Sequence, residues 1–163
     1  MEKNNRLSGQ PLSVKVLITI FLMMIALAHV VAILQAHSRT RLDREKTITY
    51  FRGNPDDPDS LQIPQSYGSM ITILHAHTFG QTMMIGLVGL LFALTGLGER
   101  VKAGGIVIAF LSSLLSNGSP WLIRYVGAGW ILLLEISGAM LIVSFATMSF
   151  FILRDLWRKE RVG

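Results

Sequence analysis

The chain has four histidines, His29, His37, His75 and His77, and all of them fall within or at the edge of long apolar stretches. Imidazole is the usual protein ligand for haem iron, copper and zinc. An ionisable side chain inside hydrocarbon is costly, so it points to a function or to a buried partner. A b-type haem held between helices needs one axial histidine from each of two facing helices, room for a porphyrin, and cations near the water for its propionates. His29 on a first apolar helix and either His75 or His77 on a second meet the first requirement. Positions two apart on a helix point about 200° apart, so only one of His75 and His77 can share a face with a given partner. Thr78, Thr82, Gly86, Gly89, Ala93 and Gly96 follow on the side of His75, a small and hydroxyl stripe that allows close approach. Gln81, Met84, Val88 and Leu91 follow on the side of His77. The depth of His77 matches that of His29 more closely, which favours it over His75. Two other readings stand beside haem. One is a copper or zinc site built from His37, His75 and His77. The other has no cofactor, with His37 an interfacial residue and His75-Ala76-His77 the outer end of a helix.

Glu135 is the one acid deep in an apolar stretch, about 14 Å along a helix that begins near residue 126. A carboxylate there either orients a ligating imidazole through its second nitrogen or accepts a proton from a quinol, in which case it rests neutral. Arg39, Arg41 and Arg124 are available at the outer surface as propionate partners, arginine being suited to bidentate carboxylate pairing. Asp56, Asp57 and Asp59 sit among prolines and read as a solvated turn, without an EF-hand pattern. The methionine pairs Met23-Met24 and Met83-Met84 lack a ligand-like period and read as packing or lipid-facing residues.

The elements that must position these groups are membrane-spanning helices. Of 163 residues, 51% are hydrophobic and 15% charged, and the apolar residues come in blocks. A hydrocarbon core about 30 Å thick needs roughly 20 apolar residues in a helix. Spans are expected over about 16–36, 70–97, 102–117 and 126–153, with one long outer loop, 38–69. The third span is short, because Pro120 is expected to stop a regular helix. Residues 39–51 are expected to continue as an interfacial helix. Trp121, Tyr125 and Trp130 have the character of residues at the membrane surface. The fold class is therefore an all-α membrane protein, a four-transmembrane-helix bundle forming a single membrane domain. The absence of cysteine excludes disulfides, iron–sulfur ligation and covalent haem attachment through Cys-x-x-Cys-His. The first apolar stretch is longer than a signal-peptide core and reads as a retained anchor.

The number of helices, the placement of the histidines and Glu135 resemble the small four-helix membrane cytochrome b subunits that anchor respiratory dehydrogenases. That resemblance implies one haem b near the outer face, a quinone nearby, a periplasmic redox partner and further membrane subunits. It implies an electron-transfer subunit of an oxidoreductase and not a complete enzyme. The alternatives are a cofactor-free accessory subunit and a histidine-based copper or zinc protein.

The net charge of +5 is explained by topology and not by nucleic acid. With both termini inside, nine basic residues face the cytoplasm and six, Arg39, Arg41, Arg44, Lys46, Arg52 and Arg124, face outward. The expected location is the inner (cytoplasmic) membrane. A reporter that is active only in the periplasm, fused after Gly163, should stay silent; activity there would invert this topology.

Overall fold

The computed structural model describes residues 7–54 and 62–158, and the described residues are all helical or irregular. Four helices are long and apolar enough to cross a membrane. In chain order the elements are α1 (Leu12–Thr40), a short α2 (Arg44–Arg52), α3 (Tyr67–Ala93), α4 (Glu99–Tyr125) and α5 (Ile131–Leu156). Single 3₁₀ turns, Leu7–Gly9 and Ala128–Trp130, precede α1 and α5.

Local chemistry sets the ends of these helices. Pro11, with extended backbone, leads into α1, which closes on Arg41 and Leu42, two non-glycine residues in the left-handed region at φ 58° and 56°. They make a tight corner, after which the Asp43 side chain accepts from the Lys46 amide and caps α2. The helix expected over 39–51 is thus broken at 41–43 and resumes in a new direction. Gly53 then turns the chain at φ 74°, and a Cβ there would lie 2.7 Å from Pro64 and 2.8 Å from the Gln62 carbonyl. The Ser66 hydroxyl accepts from the Ser69 amide and caps α3.

Two helix boundaries differ from expectation in ways that matter. Instead of ending near residue 117, α4 runs through Pro120 to Tyr125. Pro120 removes one backbone donor and frees the Ser116 carbonyl; in the preceding turn the Ser116 hydroxyl donates to the Ser113 carbonyl and the Ser119 hydroxyl to the Leu115 carbonyl. Such hydroxyls let a membrane helix tolerate proline. The last helix begins at Ile131 and not near 126, because Gly127 and the 3₁₀ turn occupy the intervening residues.

The bundle is organised around α5. Its residues Ser137, Leu141, Phe145, Met148, Ile152 and Leu156 recur every three to four positions and are buried along one side. They pack against a small-residue side of α4, where Ala109, Ser112, Ser113 and Ser119 are buried. Ile85, Val88 and Phe92 of α3 and Ile18, Leu22 and Ile25 of α1 complete the core. The contacts of α1 are with α2 and α5, and it has no packed interface with α3. Leu17, Ile20, Met23, Leu27 and Val30 of α1 are left exposed, as a lipid-facing surface requires.

The start of α1 and the end of α5 lie at one end of the bundle, where Trp157 Nε1 donates to Thr19 Oγ1 at 3.1 Å and Lys15 lies over the Trp157 ring. There Lys102, nearly buried, donates to the Ala93 carbonyl at 2.9 Å and ends α3 four residues earlier than expected. At Gly105 of α4 a Cβ would sit 3.0 Å from the Phe92 ring. Gly105→Leu should therefore overpack the core and destabilise the protein by roughly 1–3 kcal/mol, read as a lowered Tm in detergent; an unchanged Tm would mean that α3 and α4 are looser than described.

Candidate functional site

Besides the end that holds Lys102 and Trp157, polar side chains gather at the end that bears α2 and in the middle of the spans. At the α2 end, arginines tie the short helix to its neighbours. Arg44 makes a bidentate pair with Glu135, Nε to Oε1 and Nη2 to Oε2, both at 2.7 Å. Arg52 donates to the Ile123 carbonyl at 3.1 Å, in the last turn of α4, where a cation is favoured. Arg39 donates to the Tyr50 hydroxyl at 3.0 Å and lies over its ring. Arg124 donates to the Gln65 carbonyl at 3.2 Å, which fixes the segment before α3. Tyr67, Trp121 and Tyr125 pack ring against ring with centroids 5.5 Å apart, an aromatic cluster suited to the membrane surface.

The position of Glu135 is a correction. It lies four residues after the start of α5, about 6 Å along the axis, and not at the depth of His29. Both of its oxygens are taken by Arg44, so it is an ion-paired carboxylate and not a neutral buried acid. Nor does it orient an imidazole. Hydrogen bonding to the carboxylate, then its charge, holds the exposed Arg44 guanidinium above the usual arginine pKa. The stability linked to Arg44 is thus fully present below arginine's ordinary pKa and is lost only above it.

His29 lies eleven residues from the α2 end of α1, about 16 Å in. Its Nδ1 is 2.9 Å from the Ile25 carbonyl. A carbonyl only accepts, so Nδ1 is the donor of this bond, and in the neutral imidazole Nε2 then carries the lone pair. The half-buried ring stands edge-on to Phe145 of α5 with centroids 4.8 Å apart. His77 lies ten residues into α3, about 15 Å in, and His75 about 12 Å in; both are exposed. His29 and His77 thus share a level, but their helices do not pack together.

His37 is exposed near the end of α1. Among the described residues no three His, Cys, Asp or Glu side chains gather as a metal site, so the set His37, His75 and His77 is not assembled within this chain. Asp56, Asp57 and Asp59 lie outside the described residues.

A third cluster was not expected. Gln81 Oε1 accepts from Ser113 Oγ at 2.6 Å and from Asn117 Nδ2 at 2.9 Å, linking α3 to α4 at mid-span. Ser113 and Asn117 are four apart on one helix face within the expected third span, but their partner Gln81 lies 32 and 36 residues away on another helix, and spacing alone does not reveal it. Beside Gln81 the surface of α3 forms a shallow, open groove lined by Ala76, His77, Gly80, Gln81 and Met84.

Residues 41–163 match the family model Aq_1264_TM, a transmembrane helical domain. No curated protein and no solved structure matches the chain. The match opens at Arg41, directly after α1. It takes in His75, His77, Arg124 and Glu135, whereas His29, His37 and Arg39 precede it.

Because Arg44 joins α2 to α5 through a single bidentate pair, Glu135→Gln should free α2. Amide hydrogen exchange over residues 47–52 should rise severalfold, and the double exchange Arg44→Glu with Glu135→Arg should restore most of the protection. Equal protection in the wild type and in Glu135→Gln would show that Arg52 and Arg39 alone hold α2.

Proposed function

We propose, for a chain that belongs to the Aq_1264_TM family of transmembrane helical domains, a role as membrane electron-transfer subunit of a quinone-linked respiratory or photosynthetic complex, with one b-type haem between α1 and α3. The observation that carries this reading is the imidazole of His29. Metal-bound histidines almost always donate their other ring N–H to a carboxylate, carbonyl or water, and Ile25 supplies that acceptor here. Nε2 is left with the lone pair that iron needs. His77, and less closely His75, stands at the same level on α3 and is exposed. The lack of a packed α1–α3 interface is compatible with a macrocycle between them. When bound, a haem supplies one-electron redox chemistry. Arg39 and Arg124, at the α2 end of their helices, are the cations within the chain best placed to meet propionates.

In this reading both termini face the cytoplasm and the α2 end faces the periplasm, in the inner membrane. The basic-residue bias of nine against six supports that orientation. A periplasmic redox partner and further membrane subunits complete the assembly. The second reading is a cofactor-free accessory subunit. The open seam beside α1 supports it equally, since a helix of another subunit would fill the same space.

The optical spectrum of the detergent-purified protein decides between them. The first reading expects a Soret band with sharp α and β bands on reduction, and expects His29→Ala to abolish haem retention while His37→Ala keeps most of it. A colourless wild type, or full haem retention by His29→Ala, would overturn the haem assignment.

A further inference from the structure

We infer that the cavity between the end of α1, α2 and residues 62–65 binds the head group of a zwitterionic phospholipid of the phosphatidylethanolamine class. The inference lies outside the haem and quinone reading and depends on neither. The cavity is half-open, holds about 510 Å³, and is lined among others by Arg39 of α1, Glu45, Lys46 and Tyr50 of α2, and Gln65 before α3. Helix periodicity sorts its charges into two rows. Lys46 and Tyr50 are four apart on α2, and Arg39 joins them, its guanidinium donating to the Tyr50 hydroxyl at 3.0 Å and lying over that ring. Glu45 and Thr49 form the neighbouring row, about 100° round the helix. The first row is rich in donors. Arg39 spends one of its five N–H groups on Tyr50, Tyr50 keeps its own O–H to give, Lys46 has three N–H groups, and Gln65, whose Oε1 accepts from Ser69, has its amide nitrogen. Among the described residues none of these remaining donors meets an acceptor, and neither Arg39 nor Lys46 is paired with a carboxylate. Two cations and a hydroxyl converging in this way suit a phosphate. Glu45 is likewise without a cation among the described residues. A carboxylate beside a phosphate site works against a ligand that is only negative, and in favour of one that carries an ammonium next to its phosphate.

The adjoining surface supplies the rest of the ligand. Below Arg39, Ala36, Ala32 and Ala28 follow at four-residue spacing on α1, all exposed, with Leu34, Val31 and Leu27 exposed beside them. This narrow apolar strip runs from the cavity into the span, so a molecule that meets both surfaces has a charged head and hydrocarbon tails. Free phosphate meets the cavity alone. The level agrees, because the aromatic cluster of Tyr67, Trp121 and Tyr125 marks the membrane surface at the same end. With Arg39 on the lipid, Arg124 is the cation left for a haem propionate.

The test counts the lipids retained by the full chain in native mass spectrometry, with phosphatidylethanolamine, phosphatidylglycerol and phosphatidylcholine of the same acyl chains offered in equal amounts. Phosphatidylethanolamine should be retained severalfold over the other two. Phosphatidylglycerol sets a bare anion beside Glu45, and the quaternary ammonium of phosphatidylcholine has no N–H to give that carboxylate. Glu45→Gln should erase the preference over phosphatidylglycerol with Tm unchanged, since the Glu45 side chain is exposed. Arg39→Gln combined with Lys46→Gln should lower retention of phosphatidylethanolamine roughly tenfold or more. Inorganic phosphate in excess should not displace the lipid. Equal retention of the three lipids, an unaltered preference in Glu45→Gln, or wild-type retention in the double variant would overturn the inference. Displacement by inorganic phosphate would do so as well, and would make the cavity a site for the free anion. The optical spectrum of the Glu45→Gln protein should match that of the wild type, so the outcome here is separate from that of the haem reading.

Discussion

The close approach of α4 to α5 is the contact from which the other placements follow. In lipid no hydrophobic force drives one apolar helix onto another, so association depends on van der Waals fit and on interhelical hydrogen bonds. Ala109, Ser112, Ser113 and Ser119 give α4 a side without bulk, and the Leu141, Phe145 and Met148 side of α5 lies in its core. Once that pair is formed, α3 docks along both helices, with Phe92 over Gly105 and Gln81 on Ser113 and Asn117. The remaining span, α1, docks chiefly on α5, at Leu22, Ile25 and His29, and has no extensive interface with α3. The bundle is therefore compact on one flank and open on the other. His29 of α1 and His77 of α3 lie at nearly one depth, about 16 and 15 Å from the α2 end of their helices.

The same solvent constraint divides the polar residues into two kinds. At the α2 end, where water and head groups are near, full charges are tolerated. Arg44 with Glu135, and Arg52 on the end of α4, use them to hold α2. Because Arg44 is well exposed, the pair is better regarded as a positional lock than as a large source of stability. At mid-span the polar groups are neutral amides, hydroxyls and imidazoles, whose desolvation is cheaper than that of ions. Most of them are satisfied within the chain. Among the described residues the Ser112 hydroxyl of α4 is the buried side-chain group left without a partner.

How much of this was legible in the sequence follows from the range of the forces involved. The four apolar spans read directly, since length and hydropathy are local properties set by the bilayer. The levels of His29 and His77 were legible for the same reason, as rise per residue converts sequence distance into depth. Glu135 was misplaced because the start of α5 depends on Gly127 and a 3₁₀ turn, whose effect spans only a few residues but shifts the helix start by about five residues, roughly 8 Å. The proline in α4 misled in the opposite direction. The helix nonetheless continues through it, with the Ser116 and Ser119 hydroxyls bonded to the Ser113 and Leu115 carbonyls of the preceding turn. Partners distant in the chain, such as Arg44 with Glu135 and Gln81 with Asn117, leave no periodic signature at all.

The position of α1 bears on how the chain is assembled. The matched family domain begins at Arg41, so α2 to α5 correspond to the transmembrane domain and α1 stands beside it. The packing agrees with that division. Below the α2 corner, α1 is held through one face, by Ile18, Leu22 and Ile25 against α5, and its other faces are exposed. A span held through one face is free to accept a second neighbour along the next, and His29 sits at that boundary, half-buried against Phe145 with Nε2 uncommitted. Whatever fills the seam, macrocycle or neighbouring helix, meets a histidine whose ring is already oriented by its own helix. The ordering entropy of that side chain is spent on folding and not on binding.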